Sequence, residues 1–139
     1  MFATFLLFVL LSSVAMAADQ LSLTEQFEHS RAMVESHRAT VRSLDKQRTV
    51  ETARAGRLQS EGKPKAGIDK AMLRKDAVET EGAWAQNELI GLDQDAGTIE
   101  AMLKGKNPDM GAVKNSVEAY ENRVNAFLGR LRLSHKYLR

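Results

Sequence analysis

The chain has 139 residues, no cysteine and a formal net charge of +2, the small difference between 20 basic and 18 acidic side chains. This length allows one domain, and the lack of cysteine excludes disulfides, thiolate metal sites and a cysteine nucleophile. Charged residues are abundant, aromatic residues are sparse and only two prolines interrupt the chain, a composition typical of long helices and coiled coils.

The first 17 residues differ from the rest of the chain. Residues 1–18 contain no charged side chain, and an apolar run over 2–11 is followed by the small-residue site Ala15-Met16-Ala17. This pattern predicts a signal peptide cleaved after Ala17 and therefore export, with a bacterial periplasm preferred over an extracellular or organelle-lumen destination. Because the uncharged run approaches the length that spans a bilayer, the alternative is an uncleaved membrane anchor.

Residues 18–139 are predicted to form three helices, the first over about 22–59. Ser22 and Glu25 have the spacing of a capping box at its start. Residues then recur with heptad spacing, and we call these positions the seam, because they are expected to face the other helices. The seam of the first helix contains Leu23, Phe27, Ser30, Val34, His37, Val41, Leu44, Arg48 and Glu51. Glycine and proline in 60–67 predict a connector.

The second helix is predicted over about 68–104 and the third over about 108–137. Asn107 as the N-cap and Pro108 as the first helical residue are expected to start the third helix. Short connectors favour antiparallel neighbours, so the expected fold class is all-α: an elongated antiparallel, coiled-coil-like three-helix bundle. Its second and third seams are Ile68, Ala71, Lys75, Val78, Gly82, Ala85, Leu89, Leu92, Ala96, Ile99 and Leu103, then Met110, Val113, Val117, Tyr120, Val124, Phe127, Leu131, Ser134 and Leu138.

Charge is unevenly distributed between the two ends of the expected bundle. The end formed by 18–41 and 82–110 has four basic and nine acidic residues, whereas the end formed by 42–81 and 130–139 has fourteen basic and seven acidic residues. We expect this basic end to bind an acidic partner, either a protein or an anionic surface. The alternative interpretation is a charge-rich coiled-coil face that is simply solvated.

The candidate partner-binding residues are basic side chains of the basic end together with the single tryptophan. Trp84 lies just off the seam, so it either packs over the first helix near Leu44 or is exposed as an anchor for a partner. The candidate contacts are Arg54, Arg57, Lys63, Lys65, Arg74, Trp84, Arg130, Arg132, Lys136 and Arg139.

The sequence contains no pattern typical of catalysis or metal binding. The histidines, His29, His37 and His135, lack the Glu-x-x-His spacing of di-iron bundles, and no phosphate loop or nucleophile elbow occurs. We therefore expect no catalytic residues, no cofactor and no metal site. The small net charge, without interleaved aromatic and basic residues, also argues against a nucleic-acid partner.

The function expected is that of an exported, non-enzymatic adaptor, chaperone-like or scaffold protein. One alternative is a membrane-anchored accessory subunit of a larger complex, in which the membrane is contacted only if residues 1–17 are retained. Another is a ligand-binding or metal-binding helical bundle. Self-association into a homo-oligomer is open in each case, because long amphipathic helices readily pair further.

Overall fold

The computed structural model describes the backbone of residues 2–138 and the side chains of residues 17–138. Nearly all of this part is helical, and within it no strand occurs. Three helices pack together: α1 (Phe2–Ser60), α2 (Lys65–Leu103) and α3 (Met110–Tyr137). The all-helical, three-helix fold expected from the heptad pattern is thereby confirmed. The predicted signal or anchor segment, except for Ala17, has its side chains outside the described residues.

α1 differs from the predicted first helix mainly at its N-terminus. Ser22 lies inside α1 rather than at its start, so the capping box predicted from Ser22 and Glu25 does not form in this structure. The physical reason is that residues 2–21 contain neither glycine nor proline, the two residue types that most strongly disfavour a helix.

α1 ends in a turn that requires a glycine. Gly62 has a φ of 62°, in the left-handed region that residues with a Cβ rarely adopt. The Lys63 N–H donates to the Leu58 carbonyl (3.1 Å) and the Gly62 N–H donates to the Gln59 carbonyl (3.3 Å). These two bonds define a Schellman C-cap, which satisfies carbonyls at the end of the helix.

α2 begins about three residues earlier than predicted, at Lys65, because its first turn forms directly after Pro64. The Pro64 carbonyl accepts hydrogen bonds from the N–H groups of Gly67 (2.9 Å) and Ile68 (3.3 Å). A proline is tolerated here because N–H groups at a helix start have no intrahelical acceptor. Gly67 therefore belongs to the helix rather than to the connector.

α3 begins later than predicted, because Asp109 caps it. The Asp109 Oδ1 atom accepts hydrogen bonds from the backbone N–H groups of Gly111 (3.0 Å) and Ala112 (3.1 Å). These are donors at a helix start that would otherwise lack an acceptor. The predictions of Asn107 as the N-cap and Pro108 as the first helical residue are therefore wrong.

The chain divides into two compact units. Unit 1 comprises Met1–Met33 and Leu92–Val124, and unit 2 comprises Val34–Gly91 and Asn125–Arg139. Unit 1 contains five basic and nine acidic residues, whereas unit 2 contains fifteen basic and nine acidic residues. The excess of basic side chains seen in the sequence is thus a property of unit 2.

The core of unit 1 is built from seam residues of all three helices. The rings of Phe27 and Tyr120 lie 5.5 Å apart at a tilt of 57°, an arrangement that aromatic pairs prefer. An ion pair between Arg31 and Glu100 joins α1 to α2 beside this core. The buried seam residues are Leu23, Phe27, Ser30, Leu92, Ala96, Ile99, Val113, Val117, Tyr120 and Val124.

The core of unit 2 also follows the seam, although two of its buried members are polar. Within this unit α2 and α3 run in opposite directions, since Trp84 contacts Phe127 and Arg74 contacts Leu138. Arg48, at a predicted seam position, is exposed. The buried residues are Val34, Val41, Leu44, Glu51, Ala55, Ala71, Val78, Gly82, Ala85, Phe127, Leu131, Ser134 and Leu138.

Two glycines should respond in opposite ways to the same substitution. Gly82 is buried inside α2, but among the described residues no side chain or neighbouring backbone lies within 4 Å of where a Cβ would stand. Close packing therefore does not require a glycine here, and Gly82→Ala should stabilise the protein by about 1 kcal/mol through helix propensity. Gly62→Ala should destabilise it by about 1 kcal/mol, because a Cβ is disfavoured at positive φ.

Urea denaturation followed by circular dichroism measures both variants. A loss of stability in Gly82→Ala would contradict the packing described around that position. A neutral Gly62→Ala would contradict the left-handed turn at the end of α1.

Candidate partner-binding surface

The predicted partner-binding residues all belong to unit 2, and nine of the ten are described. Arg139 lies outside the described residues. Arg74, Trp84 and Arg130 make interactions that hold the helices of unit 2 together. The other six are exposed: Arg54, Arg57, Lys63, Lys65, Arg132 and Lys136. The structure therefore separates the predicted set into side chains used by the fold and side chains available to a partner.

Arg74 links α2 to both α1 and the end of the chain. Its Nε atom donates to Glu51 Oε1 (2.7 Å), and its Nη2 atom donates to the Leu138 carbonyl (2.6 Å). The Glu51 side chain is only 10% exposed, so its charge needs a hydrogen-bonded counterion. Glu51 Oε2 is buried without a hydrogen bond in the described part of the chain, and Arg54 Nη1 lies 3.8 Å from it.

Trp84 packs against α3 rather than standing free in solvent. Its ring lies 5.7 Å from the Phe127 ring, centroid to centroid, and the Arg130 guanidinium lies 4.0 Å above its face. The cation and the electron-rich face of the indole attract one another. This contact covers part of the ring, and the residue is half-buried.

A carboxylate holds the Arg130 guanidinium in place over the tryptophan. Arg130 donates from Nη2 to Glu81 Oε1 (2.9 Å) and from Nε to Glu81 Oε2 (3.2 Å). The Ser134 hydroxyl donates to Glu81 Oε2 (2.6 Å). The hydrogen bond from Arg130 is the main reason that the pKa of the Glu81 carboxyl lies below its ordinary value of 4.5, although partial burial opposes the shift. The same bond raises the pKa of Arg130.

The six exposed basic side chains have weak partners or none. Lys63 is 3.7 Å from Glu61, and exposed pairs of this kind contribute little. Arg54 lies 3.8 Å from the buried Glu51 carboxylate, whose hydrogen-bonded partner is Arg74. The Lys136 Nζ atom is 5.9 Å from the Tyr137 ring centroid. Four of these six side chains have no ion pair within the described residues: Arg57, Lys65, Arg132 and Lys136. Lys70, which was not among the predicted contacts, is exposed and has none either.

Large apolar side chains are exposed in the same unit. Of the seven that are exposed among the described residues, six belong to unit 2. Leu73 and Tyr137 are the most open, at 72% and 74%. Both lie outside the seam, so the heptad pattern predicts that they are exposed. Neither was among the predicted partner contacts. Single exposed apolar residues are ordinary, and their concentration beside free cations is the informative feature.

A groove of about 360 Å³ lies between α1 and α2 of unit 2. Val41 and Leu89 provide its apolar lining, and Arg38, Arg42 and Lys46 project along its α1 side. The three basic residues are spaced four apart in the sequence, which indicates one basic face of a helix. They were not among the predicted partner contacts.

The described residues show no arrangement for metal chemistry. No group of three or more histidine, aspartate or glutamate side chains in this part of the chain is placed to hold a metal ion. Between residues 17 and 138, no helix has an apolar stretch of the kind that crosses a membrane.

Comparison with known proteins finds no family model, no curated protein and no solved structure that matches this chain.

Arg74 and Arg132 should differ in what they contribute to stability. Arg74→Met should lower the free energy of unfolding by about 2 kcal/mol, because it leaves the buried Glu51 carboxylate without its charged donor. Arg132→Met should have almost no effect, because Arg132 is exposed and has no ion pair within the described residues. Urea denaturation compares the two variants, and equal stabilities would show that Arg74 does not hold the helices together.

Glu81 should make stability depend on pH. Its folded pKa lies below its unfolded pKa, so its contribution is fully present above the ordinary value of 4.5 and is lost as pH falls through the folded value. The urea midpoint should therefore fall less between about pH 7 and about pH 3 in Glu81→Gln than in the unmodified protein. Glu121→Gln is the control, since Glu121 is exposed on α3. An identical loss in the unmodified protein and Glu81→Gln would contradict the role given to the Arg130–Glu81 bond.

Proposed function

We propose that this protein is a non-enzymatic adaptor, chaperone-like or scaffold protein that holds an acidic protein partner through unit 2. The contact region, here called the basic surface, consists of Arg54, Arg57, Lys63, Lys65, Lys70, Arg132 and Lys136. The observation that carries this proposal is that these exposed cations have weak ion pairs or none, although the unit has nine acidic residues.

The arrangement differs from an ordinary solvated coiled-coil face. Such a face pairs acidic and basic residues three or four positions apart, as Lys75 and Glu79 do here at 3.6 Å. Arg57, Lys65 and Arg132 have no pairing of this kind within the described residues. Unpaired cations on a unit with an excess of positive charge attract acidic partners and speed their association.

Exposed apolar side chains favour a protein as the partner. Leu73 lies three residues from Lys70 on α2, and Tyr137 follows Lys136 on α3. Tyrosine is enriched among residues that dominate binding energy, because its ring offers apolar area and its hydroxyl a hydrogen bond. Charges would guide the encounter, and burial of these two side chains would strengthen the complex.

Export is part of the proposal and is supported by the apolar run and the Ala15-Met16-Ala17 site in the sequence. The bacterial periplasm is the preferred compartment. The elongated antiparallel form expected for the whole bundle stays a prediction.

A membrane-anchored accessory subunit is the second candidate function. It is supported by the continuity of α1, which begins at Phe2 and passes through Ser22 without a break. A retained apolar segment would then join the bundle directly to a membrane. The mass of the intact protein from its native source separates the two candidates: a chain that starts at Ala18 supports the exported binding protein, and one that includes the apolar segment supports the anchored subunit.

Charge reversal on the basic surface tests the proposed function. The full chain carrying Arg57→Glu, Lys65→Glu and Arg132→Glu should bind polyglutamate at least about tenfold more weakly than the unmodified protein, because three attractive charges become repulsive. Binding of the unmodified protein should also weaken as salt is added. Fluorescence anisotropy of labelled polyglutamate measures both effects.

The matched control carries the same change of net charge on unit 1. Lys104→Glu, Lys106→Glu and Lys114→Glu alter exposed side chains that have only weak local pairs or none in the described residues. The control should bind within about threefold of the unmodified protein, because screening limits the reach of distant charges. Equal losses in both triple variants would mean that only net charge matters, which contradicts a defined surface.

A further inference from the structure

The groove between α1 and α2 of unit 2 has cations at regular intervals along one wall. Arg38, Arg42 and Lys46 are four residues apart on α1, so they follow one another along the same face at about 6 Å intervals. The stripe therefore covers about 12 Å of the helix. This length matches slightly more than two turns of a second helix lying alongside.

The charges of this stripe are only partly neutralised by the fold. Arg38 donates from Nε to the Glu35 carboxylate at 2.8 Å. Asp45, the acidic residue that lines the groove, pairs instead with Arg48 at 3.0 Å. Arg42 and Lys46 are exposed and have no ion pair in the part of the chain that the structure describes. Two positive charges in the groove thus lack a counterion.

The groove also has an apolar lining. Val41 is 3% exposed and lies between Arg38 and Arg42 in the sequence, and Leu89 lines the opposite wall from α2. Ile90, the residue after Leu89, is exposed. An occupant with apolar side chains on one face and acidic side chains beside them would match both features.

The openness of the groove to solvent favours a protein segment over a small molecule. Small-molecule sites enclose most of the ligand surface in a concave pocket, whereas this groove is bounded by two helices and open on its outer side. An apolar groove with charged edges between two helices can bind an amphipathic helix of another protein lying along it.

We propose that this groove is the docking site for an acidic amphipathic helix of a partner protein. Carboxylates four residues apart on that helix pair with Arg42 and Lys46, and its apolar side chains contact Leu89 and Ile90. This inference rests on the proposed function, since it gives the acidic partner a second contact with unit 2, in addition to the basic surface, and names the form of that contact.

A labelled peptide tests the docking site directly. The probe is a helical peptide of about 20 residues, long enough to be helical in water, with glutamates at i and i+4 beside a row of leucines. Arg42→Glu with Lys46→Glu in the full chain should weaken its binding at least about tenfold, because both pairings become repulsive. Lys104→Glu with Lys114→Glu is the matched control, as it reverses two exposed cations of unit 1 that belong neither to the groove nor to the basic surface, and it should weaken binding less than about threefold.

A second peptide tests whether the occupant is helical. It has the same composition with a central proline, which breaks a helix, and it should bind at least about tenfold more weakly. Equal binding of the two peptides, or an unchanged affinity in the Arg42 and Lys46 variant, would overturn the proposed docking site.

The two proposals fail in different ways. If reversal on the basic surface weakens polyglutamate binding and reversal in the groove leaves peptide binding unchanged, the docking site is wrong and the proposed function stands. If neither reversal changes binding of either probe, both are wrong. Peptide binding that is lost equally in the groove variant and in the unit 1 control would mean that only net charge matters, and it would overturn the groove as the docking site.

Discussion

Burial of the heptad seam is the constraint on which the rest of this structure depends. With no cysteine in the chain, no disulfide can form, and packing supplies the stabilisation that such a crosslink would otherwise provide. Phe27, Leu44 and Phe127 are almost completely buried, and each such side chain contributes on the order of 2 kcal/mol. Because the seam occupies only two positions in seven, the remaining positions can change their charge without disturbing the core. The fold and the surface chemistry of unit 2 are therefore largely separable.

Two polar seam residues are exceptions to this separation. Glu51 and Ser134 occupy seam positions in unit 2, and each hydrogen-bonds to a residue of α2: Glu51 Oε1 to Arg74 and the Ser134 hydroxyl to Glu81. Removing one partner of such a buried pair lowers the stability of the protein, whereas replacing both partners with apolar residues of similar volume often leaves stability unchanged. These pairs form only when the helices are in one register, so we interpret them as specifying which residues of α2 face α1 and α3. Arg74 extends this role to the chain end through the Leu138 carbonyl.

Heptad spacing was enough to predict the three helices and nearly every buried position, because burial depends mainly on local periodicity. The helix starts were harder, since Asn107-Pro108-Asp109 offers two residues able to cap and only the structure shows that Asp109 does so. The roles of Arg74 and Arg130 were also hidden, because their partners lie on other helices and depend on interhelical register. Composition along the sequence identified the end formed by 42–81 and 130–139 as basic, and these residues all belong to unit 2. It did not distinguish cations that stabilise the fold from cations that are free.

We propose that exposed side chains of unit 2 bind acidic partners and that unit 1 does not take part. The most direct measurement is a titration of polyglutamate into the isotopically labelled full chain, followed residue by residue by amide chemical shifts. We expect saturable shifts at exposed residues of unit 2, including Arg57 and Arg132, and unchanged signals for Phe27 and Tyr120 in the core of unit 1. Shifts of similar size across both units, or shifts confined to unit 1, would contradict it.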